Sequence, residues 1–282
     1  MRRFVCFVCA VALACSFVSA ASAETEQEIV DRYLKKAEKV QLKKLSWLSV
    51  NYQMDRINRN NDYNSFANYT SNQFSNADIP WLGQANTFGI DFGVAFKNKF
   101  AWTIGGEYWL TMGIDETGTF DYTNSLGASI PVENLKSEIQ VYGVSTGLQY
   151  FLMNPPKPTA AVQEPTVRLN ATVGYYHAKW DLWDDYENLN LATSTSTGSN
   201  TTFEGTAPGF SLGFGGDYPL NFFGLAFGAD FSYLYLNFTN IAWYNSQDEE
   251  IVVTYNNAED GRVDLGLSGF RGKVELKRYF TF

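Results

Sequence analysis

The amino-acid sequence predicts an all-β fold, a closed antiparallel eight-stranded up-and-down transmembrane β-barrel with a short N-terminal amphipathic helix. Three observations predict it. Bulky apolar residues alternate with small or polar ones over eight separate stretches. The connections between those stretches are alternately short and long, and acidic residues gather in the long ones. Period-two alternation places one residue class on each face of a strand.

The chain opens with Met1-Arg2-Arg3, an apolar run from Phe4 to Val18, and Ala21-Ser22-Ala23 before Glu24. A basic start, a short apolar core and an A-x-A site read as a cleaved signal peptide over residues 1–23. The run is too short for a membrane anchor of ~20 residues. A lipoprotein site at Cys15 is the weaker reading, because small and apolar residues continue to Ala23. Cys6, Cys9 and Cys15 all lie in this peptide, so the exported part offers no disulfide and no thiolate metal site. Cleavage lowers Lys+Arg from 21 to 19 and leaves Asp+Glu at 30, a net charge of −11. That balance excludes a nucleic-acid partner.

Residues 24–43 follow as a leader. Thr25-Glu26-Gln27-Glu28 matches a capping box, and Ile29, Tyr33, Ala37 and Val40 recur at helical spacing, with Lys35, Lys36, Lys39, Lys43 and the adjoining Lys44 on other faces. The expected amphipathic helix covers 26–42. It would lie on a membrane surface, fill the barrel mouth or stand solvated in the periplasm.

The barrel is expected over 44–282. The first strand, near 45–54, offers Leu48, Val50 and Tyr52 on one face. The second alternates Phe88, Ile90, Phe92, Val94 and Phe96 with Gly89, Asp91, Gly93 and Ala95. Phe100 to Met112, Tyr142 to Tyr150 and Val167 to Tyr175 supply the next three. The sixth, near 207–216, carries Phe210, Leu212 and Phe214, with Pro208 at its start. The seventh runs from Leu225 to Tyr235. The last, 262–282, changes parity between Leu267 and Phe270, which a bulge at Ser268–Gly269 would reconcile.

Face composition decides the solvent. The second face is mostly Gly, Ala, Ser and Thr with isolated charges, too small for a water-covered surface and suited to a narrow lumen. The aromatic face then needs lipid, and closure satisfies every backbone polar group. A soluble lipocalin-like carrier is the architectural rival. Strands join briefly at 97–99 and 217–221 and through a Pro-rich link at 153–165. The other connections, 55–85, 114–135, 181–205 and 239–260, are long. Three of the long loops hold 14 acids and no Lys or Arg, while Lys97, Lys99, Lys157, Lys277 and Arg278 gather at the other end. Short periplasmic turns and long extracellular loops are the outer-membrane arrangement.

From these features the chain resembles the small eight-stranded outer-membrane barrels typified by the OmpA membrane domain, OmpX and OmpW. The resemblance covers about 44–282 in pattern. Its sharpest motif is the ending, where Val274, Leu276, Phe280 and Phe282 alternate to a terminal aromatic, interrupted by Arg278. The resemblance implies that this ending is the signal read by the barrel-assembly machinery.

The inward-facing charged set expected from parity is Asp91, Glu107, Arg168, Asp230, Arg271, Lys273 and Glu275. Opposite charges in a narrow low-dielectric lumen pair, since an unpaired one costs several kcal/mol. The set reads as a salt-bridge plug, or as the lining of a selective pore. Eight strands leave little open lumen, which favours the plug. His177, the only histidine, shares the parity of lipid-facing Tyr175 and reads as a rim residue rather than a catalytic base. Asp181, Asp184, Asp185 and Glu187 offer oxygen ligands for Ca²⁺ or Mg²⁺ without EF-hand spacing; divalent ions there would bridge to lipopolysaccharide. Trp81, Trp180, Trp183 and Trp243 read as girdle or loop-packing residues. The Asn-rich segment from Asn58 to Asn76 and the Thr193–Thr202 run read as solvated exterior loops.

Three functions follow. The first is a monomeric structural or surface-interaction barrel that needs no cofactor, with outer-membrane lipid and lipopolysaccharide as its surroundings. The second is a narrow channel for small or apolar solutes, opening laterally as in OmpW-like proteins. The third is a lipid-modifying enzyme centred on His177.

Overall fold

A computed structural model describes residues 45–58, 61–96, 99–123, 127–155, 164–182, 201–220, 222–244, 250–251 and 262–281. The signal peptide, the leader helix, Asp184, Asp185, Glu187 and Phe282 lie outside them. The strands are β1 (Leu45–Ile57), β2 (Ala85–Phe96), β3 (Phe100–Thr123), β4 (Ser129–Met153), β5 (Thr166–Leu182), β6 (Thr201–Pro219) and β7 (Leu225–Tyr244). After these come the two short strands β8 (Glu250–Ile251) and β9 (Val263–Gly266), then β10 (Gly269–Thr281). One helix, α1 (Asp62–Ser71), lies between β1 and β2.

Every barrel neighbour is antiparallel. β1 to β7 pair in sequence, β7 pairs with β10, and β10 pairs with β1, which closes an eight-stranded barrel. The register Leu45↔Thr281 puts the first and last strand ends on one rim. The β2–β3, β4–β5 and β6–β7 turns lie on that same rim, by the pairs Phe96↔Phe100, Met153↔Val167 and Pro219↔Ala226.

The bulky rows point outward. Val50, Ile90, Leu148, Val173, Leu212 and Phe214 are each more than half exposed, and Ile104, Phe231 and Val274 nearly so. Phe214, Phe231, Tyr233 and Phe270 form a chain of ring contacts across β6, β7 and β10, at 5.3–5.9 Å. Phe270 and Phe280 lie ten residues apart on one strand. At ~3.3 Å per residue and ~40° tilt, their row spans about 25 Å, the height of a membrane barrel's apolar belt.

The structure corrects the reading of the outer half. The segments 114–135, 181–205 and 239–260 are not wholly loops. β3 and β4 continue as one long hairpin to Thr123 and Ser129, and β5, β6 and β7 reach Leu182, Thr201 and Tyr244. In that hairpin Tyr122, Val132 and Leu135 are buried in an apolar cluster, Tyr122 against Phe74, but Asp115–Thr119 are exposed on both faces, so no sustained alternation marks it. The Asn-rich segment is not a solvated loop either. It holds α1, capped by Asn61, whose side chain accepts from the Asn64 backbone N–H. Tyr63, Phe66 and Ala67 on this helix are buried. The parity of the apolar residues changes at Ser268–Gly269 without a bulge, because β9 and β10 keep one register with β7 and Val263, Leu265 and Leu267 face the interior like Arg271 and Glu275, while Phe270 and Val274 face outward. β9 pairs with β7 alone, and Ser268 then bonds Leu236 and Asn237 through its hydroxyl. Pro208 sits inside β6, at an interruption of the β6–β7 ladder between Glu204 and Gly209, and Pro131 lies inside β4.

Candidate functional site: the sealed lumen

Inward parity on the eight barrel strands stacks three layers of side chains. At the rim that carries the strand ends, Trp47, Ala101 and Phe151 pack together, with Ala95 and Tyr279 against them. Trp47 and Tyr279 meet edge to face at 5.8 Å. At the opposite rim an apolar cluster fills the interior. There α1 sets Tyr63 and Phe66 against Trp180, at 5.1 and 5.0 Å, and Trp180 stacks on Phe203 at 4.8 Å. Asn64 fixes the chain after the helix by bonding both backbone groups of Leu82. Tyr63 reaches the inward Ser137 on β4, and burial pushes its phenol above the ordinary tyrosine range. Trp180 is thus an interior residue, not a girdle tryptophan, and this end of the lumen is bulky and apolar rather than small. Trp81 is exposed on the rim; the side chains of Trp183 and Trp243 lie outside the described set.

Between the apolar layers lies a charged one. Arg168, fully buried, ion-pairs through Nη1 with Asp217 and through Nη2 with Asp230 and Glu275. Lys277 joins Asp217 and Glu275, both at 2.9 Å, and lies 5.6 Å from the Trp47 ring. Arg271 pairs with Asp55 through Nε and with Glu107 through Nη1 at 2.9 Å, over the Trp109 ring. Lys273 stands between Asp91, Asp230 and Glu275 at 3.4–3.5 Å. Neutral donors complete the shells. Asn51 donates to Asp91, Gln53 and Trp109 to Glu107, Thr87 to Asp55, and Asn170 to Asp230.

Glycines make the room. A Cβ on Gly93 would fall inside the Trp47 indole, and one on Gly215 inside the Asp230 carboxylate. Gly143, Gly174 and Gly209, from three adjacent strands, cradle the Tyr176 ring. The small residues of the inward face are therefore complements of large ones across the strand, not signs of open space.

The structure places all seven inward candidates, Asp91, Glu107, Arg168, Asp230, Arg271, Lys273 and Glu275, in this layer. Sequence reasoning missed Asp55, Asp217 and Lys277. Parity held the signal for all three, Asp217 continuing the row of Ser211, Gly213 and Gly215. Lys277 continues the row of Lys273 and Glu275, and Asp55 continues that of Asn51 and Gln53. Lys277 is not part of the basic rim, and Asp217 is not a turn residue, since it pairs in register with both Thr166 and Gly228. Of the assembly residues, Val274, Leu276 and Phe280 all face outward. Asp181 is held on the outer rim by Lys179 and Thr202, both at 2.8 Å. His177, also outward, meets Glu204 through Nε2 at 3.0 Å and lies 4.8 Å from the Tyr142 ring.

No protein-family model and no curated protein matches the chain. Solved structures to which it is similar include a major outer membrane protein of Thermus thermophilus, at 13% identity over 83% of this chain and 99% of that one, TM-score 0.46. Ail, the attachment invasion locus protein of Yersinia pestis, solved with the heparin analogue sucrose octasulfate, shares 13% identity over 84% and 99%, TM-score 0.43. The outer membrane protein OprG of Pseudomonas aeruginosa shares 12% over 84% and 95%, TM-score 0.43.

Proposed function

We propose that the chain is an integral outer-membrane barrel with a structural or surface-interaction role, whose lumen is plugged and does not conduct. The observation that supports this is the stack of three side-chain layers, two apolar and one charged, across the whole interior. A hydrated ion crossing it would have to displace paired charges and two packed apolar seals, each step costing several kcal/mol. The surfaces left for function are the lipid-facing belt and the long β3–β4 hairpin. The segment between α1 and β2 braces that hairpin through the Phe74↔Tyr122 bridge and backbone bonds at Ser75 and Thr123. Purified protein in planar bilayers is expected to give no unitary conductance, while the cellular protein fractionates with the outer membrane and shows heat-dependent gel mobility. Discrete current steps from the parent chain would overturn the plugged reading.

The lateral channel reading meets one feature, the interrupted β6–β7 ladder. A cavity of about 270 Å³ opens there, lined by Glu204, Thr206, Thr239, Asn240 and Arg262 among others. This lining is polar and suits no apolar solute. For His177, the contacts are a carboxylate and a ring, and the hydroxyl on its register partner Thr206 is bonded to Tyr175. We read it as a rim residue, so His177→Ala is expected to leave lipid A mass spectra unchanged.

A further inference from the structure

The inward charges do not sum to zero. Among the described residues, Asp55, Asp91, Glu107, Asp217, Asp230 and Glu275 face Arg168, Arg271, Lys273 and Lys277, six carboxylates against four cations. An excess of two negative charges inside a lipid-surrounded barrel demands compensation.

The contacts locate the shortfall. Arg168, Arg271 and Lys277 each make ion pairs of 2.9 Å or less. Among the described residues the Asp91 carboxylate has only Lys273, at 3.4 Å, and the Asn51 amide. Strong ammonium–carboxylate bonds are ~2.7–2.9 Å, so Asp91 is the least neutralised acid. It lines a cavity of about 70 Å³ together with Thr103, Ser145, Gln149, Asn170 and Asp230, and with the cations Arg271 and Lys273, which the cavity's four carboxylates outnumber. Two amide oxygens of this lining, Gln149 Oε1 and Asn170 Oδ1, are buried without a hydrogen-bond partner among the described residues, and Gln149 is only 7% exposed. Gln149 and Asn170 are register partners on β4 and β5, so both oxygens belong to one wall. At ~10–15 Å³ per water position the chamber takes about five waters, or a cation with part of its hydration shell.

From this lining we infer that the chamber is a cation site for an alkali metal ion. Asp91 supplies the charge, and Gln149, Asn170 and the hydroxyls of Thr103 and Ser145 supply neutral oxygens. The two apolar layers occlude the ion. A calcium-type ion does not fit. Among the described residues no three His, Cys, Asp or Glu side chains converge to hold a metal. The Lys273 ammonium also stands where such an ion would need its carboxylates. An anion is excluded by the sign of the lining.

The test is to refold the exported chain from urea into detergent micelles in rubidium chloride, desalt it into N-methylglucamine chloride, and measure rubidium by mass spectrometry. The expected result is stoichiometric rubidium after folding in it, and none when rubidium is added to protein already folded without it. Asp91→Asn and Gln149→Met, each checked for heat-dependent mobility, are expected to lose the ion. Should Asp91→Asn fail to fold, Gln149→Met decides alone. Parent protein that retains no rubidium, showing that protons balance the charge, overturns the proposal. So does full retention by Gln149→Met, or displacement of the ion by equimolar calcium during folding.

Discussion

Replacing Arg168 with methionine tests the charged layer at its centre. The guanidinium is fully buried and touches three carboxylates. Its removal takes the described inward excess from two negative charges to three. Breaking a buried pair costs ~3–5 kcal/mol because the abandoned charge has no solvent. Here each acid keeps a second partner. Asp217 and Glu275 keep Lys277 at 2.9 Å, and Asp230 keeps Asn170 at 2.8 Å. Methionine also refills part of the volume. The expected loss is therefore about 3 kcal/mol, the lower end of that range. Adding Asp230→Asn removes one orphaned charge, and the double variant is expected to recover ~1–2 kcal/mol relative to additivity. Reversible urea unfolding in lipid vesicles, followed by tryptophan emission, measures both. A single variant within ~1 kcal/mol of the parent would refute the reasoning, because a solvated arginine behaves that way.

Further outcomes follow from other layers. Gly93→Ala drives a methyl into the Trp47 ring and is expected to cost ~1–3 kcal/mol in the same unfolding assay. Phe66→Ala empties a site against Trp180 and is expected to cost ~3–5 kcal/mol, yet to leave bilayers without current because the charged layer stays intact. Ile104→Arg, in the middle of the outward β3 row, is expected to cost ~2–4 kcal/mol in vesicles. Phe223→Arg, on the turn beyond the belt, is expected to cost less than ~1 kcal/mol. The Tyr63 phenol is held neutral in the folded state while an unfolded tyrosine ionises near pH ~10. The folded state then binds more protons, so stability falls as pH rises through the ordinary tyrosine range. Tyr63→Phe is expected to flatten that fall in a pH series of urea midpoints.

The membrane half of the barrel was legible because lipid and a crowded lumen impose opposite demands on alternate residues. Phe88 to Phe96 and Tyr142 to Tyr150 show it most plainly. The outer half was not. Tyr175 faces lipid while its neighbour Tyr176 fills the lumen, and Trp180 is interior, so both faces are bulky and the alternation fades. In β3 beyond Met112 the run Asp115–Thr119 is exposed on both faces before Tyr122 is buried again, so strand read as loop. Helix α1 carries asparagines for capping and for clamping Leu82, which by composition alone mimics a solvated segment. Asp55 and Asp217 escaped notice because they sit at strand ends, where a boundary misplaced by a few residues moves a lumen charge into a turn, and Lys277 because beside Arg278 it read as part of the basic rim.

Single cysteines read the direction of each row, since the native ones all precede residue 16. The most direct measurement places spin labels at outward Ile90, Leu148 and Phe231 and at inward Thr103, Ser145 and Ser232, one at a time, in lipid vesicles. The account predicts strong relaxation by oxygen and none by a water-soluble nickel chelate at the outward sites, and weak response to both at the inward ones. Chelate access to the inward row, or to Leu148 and Phe231, would contradict it.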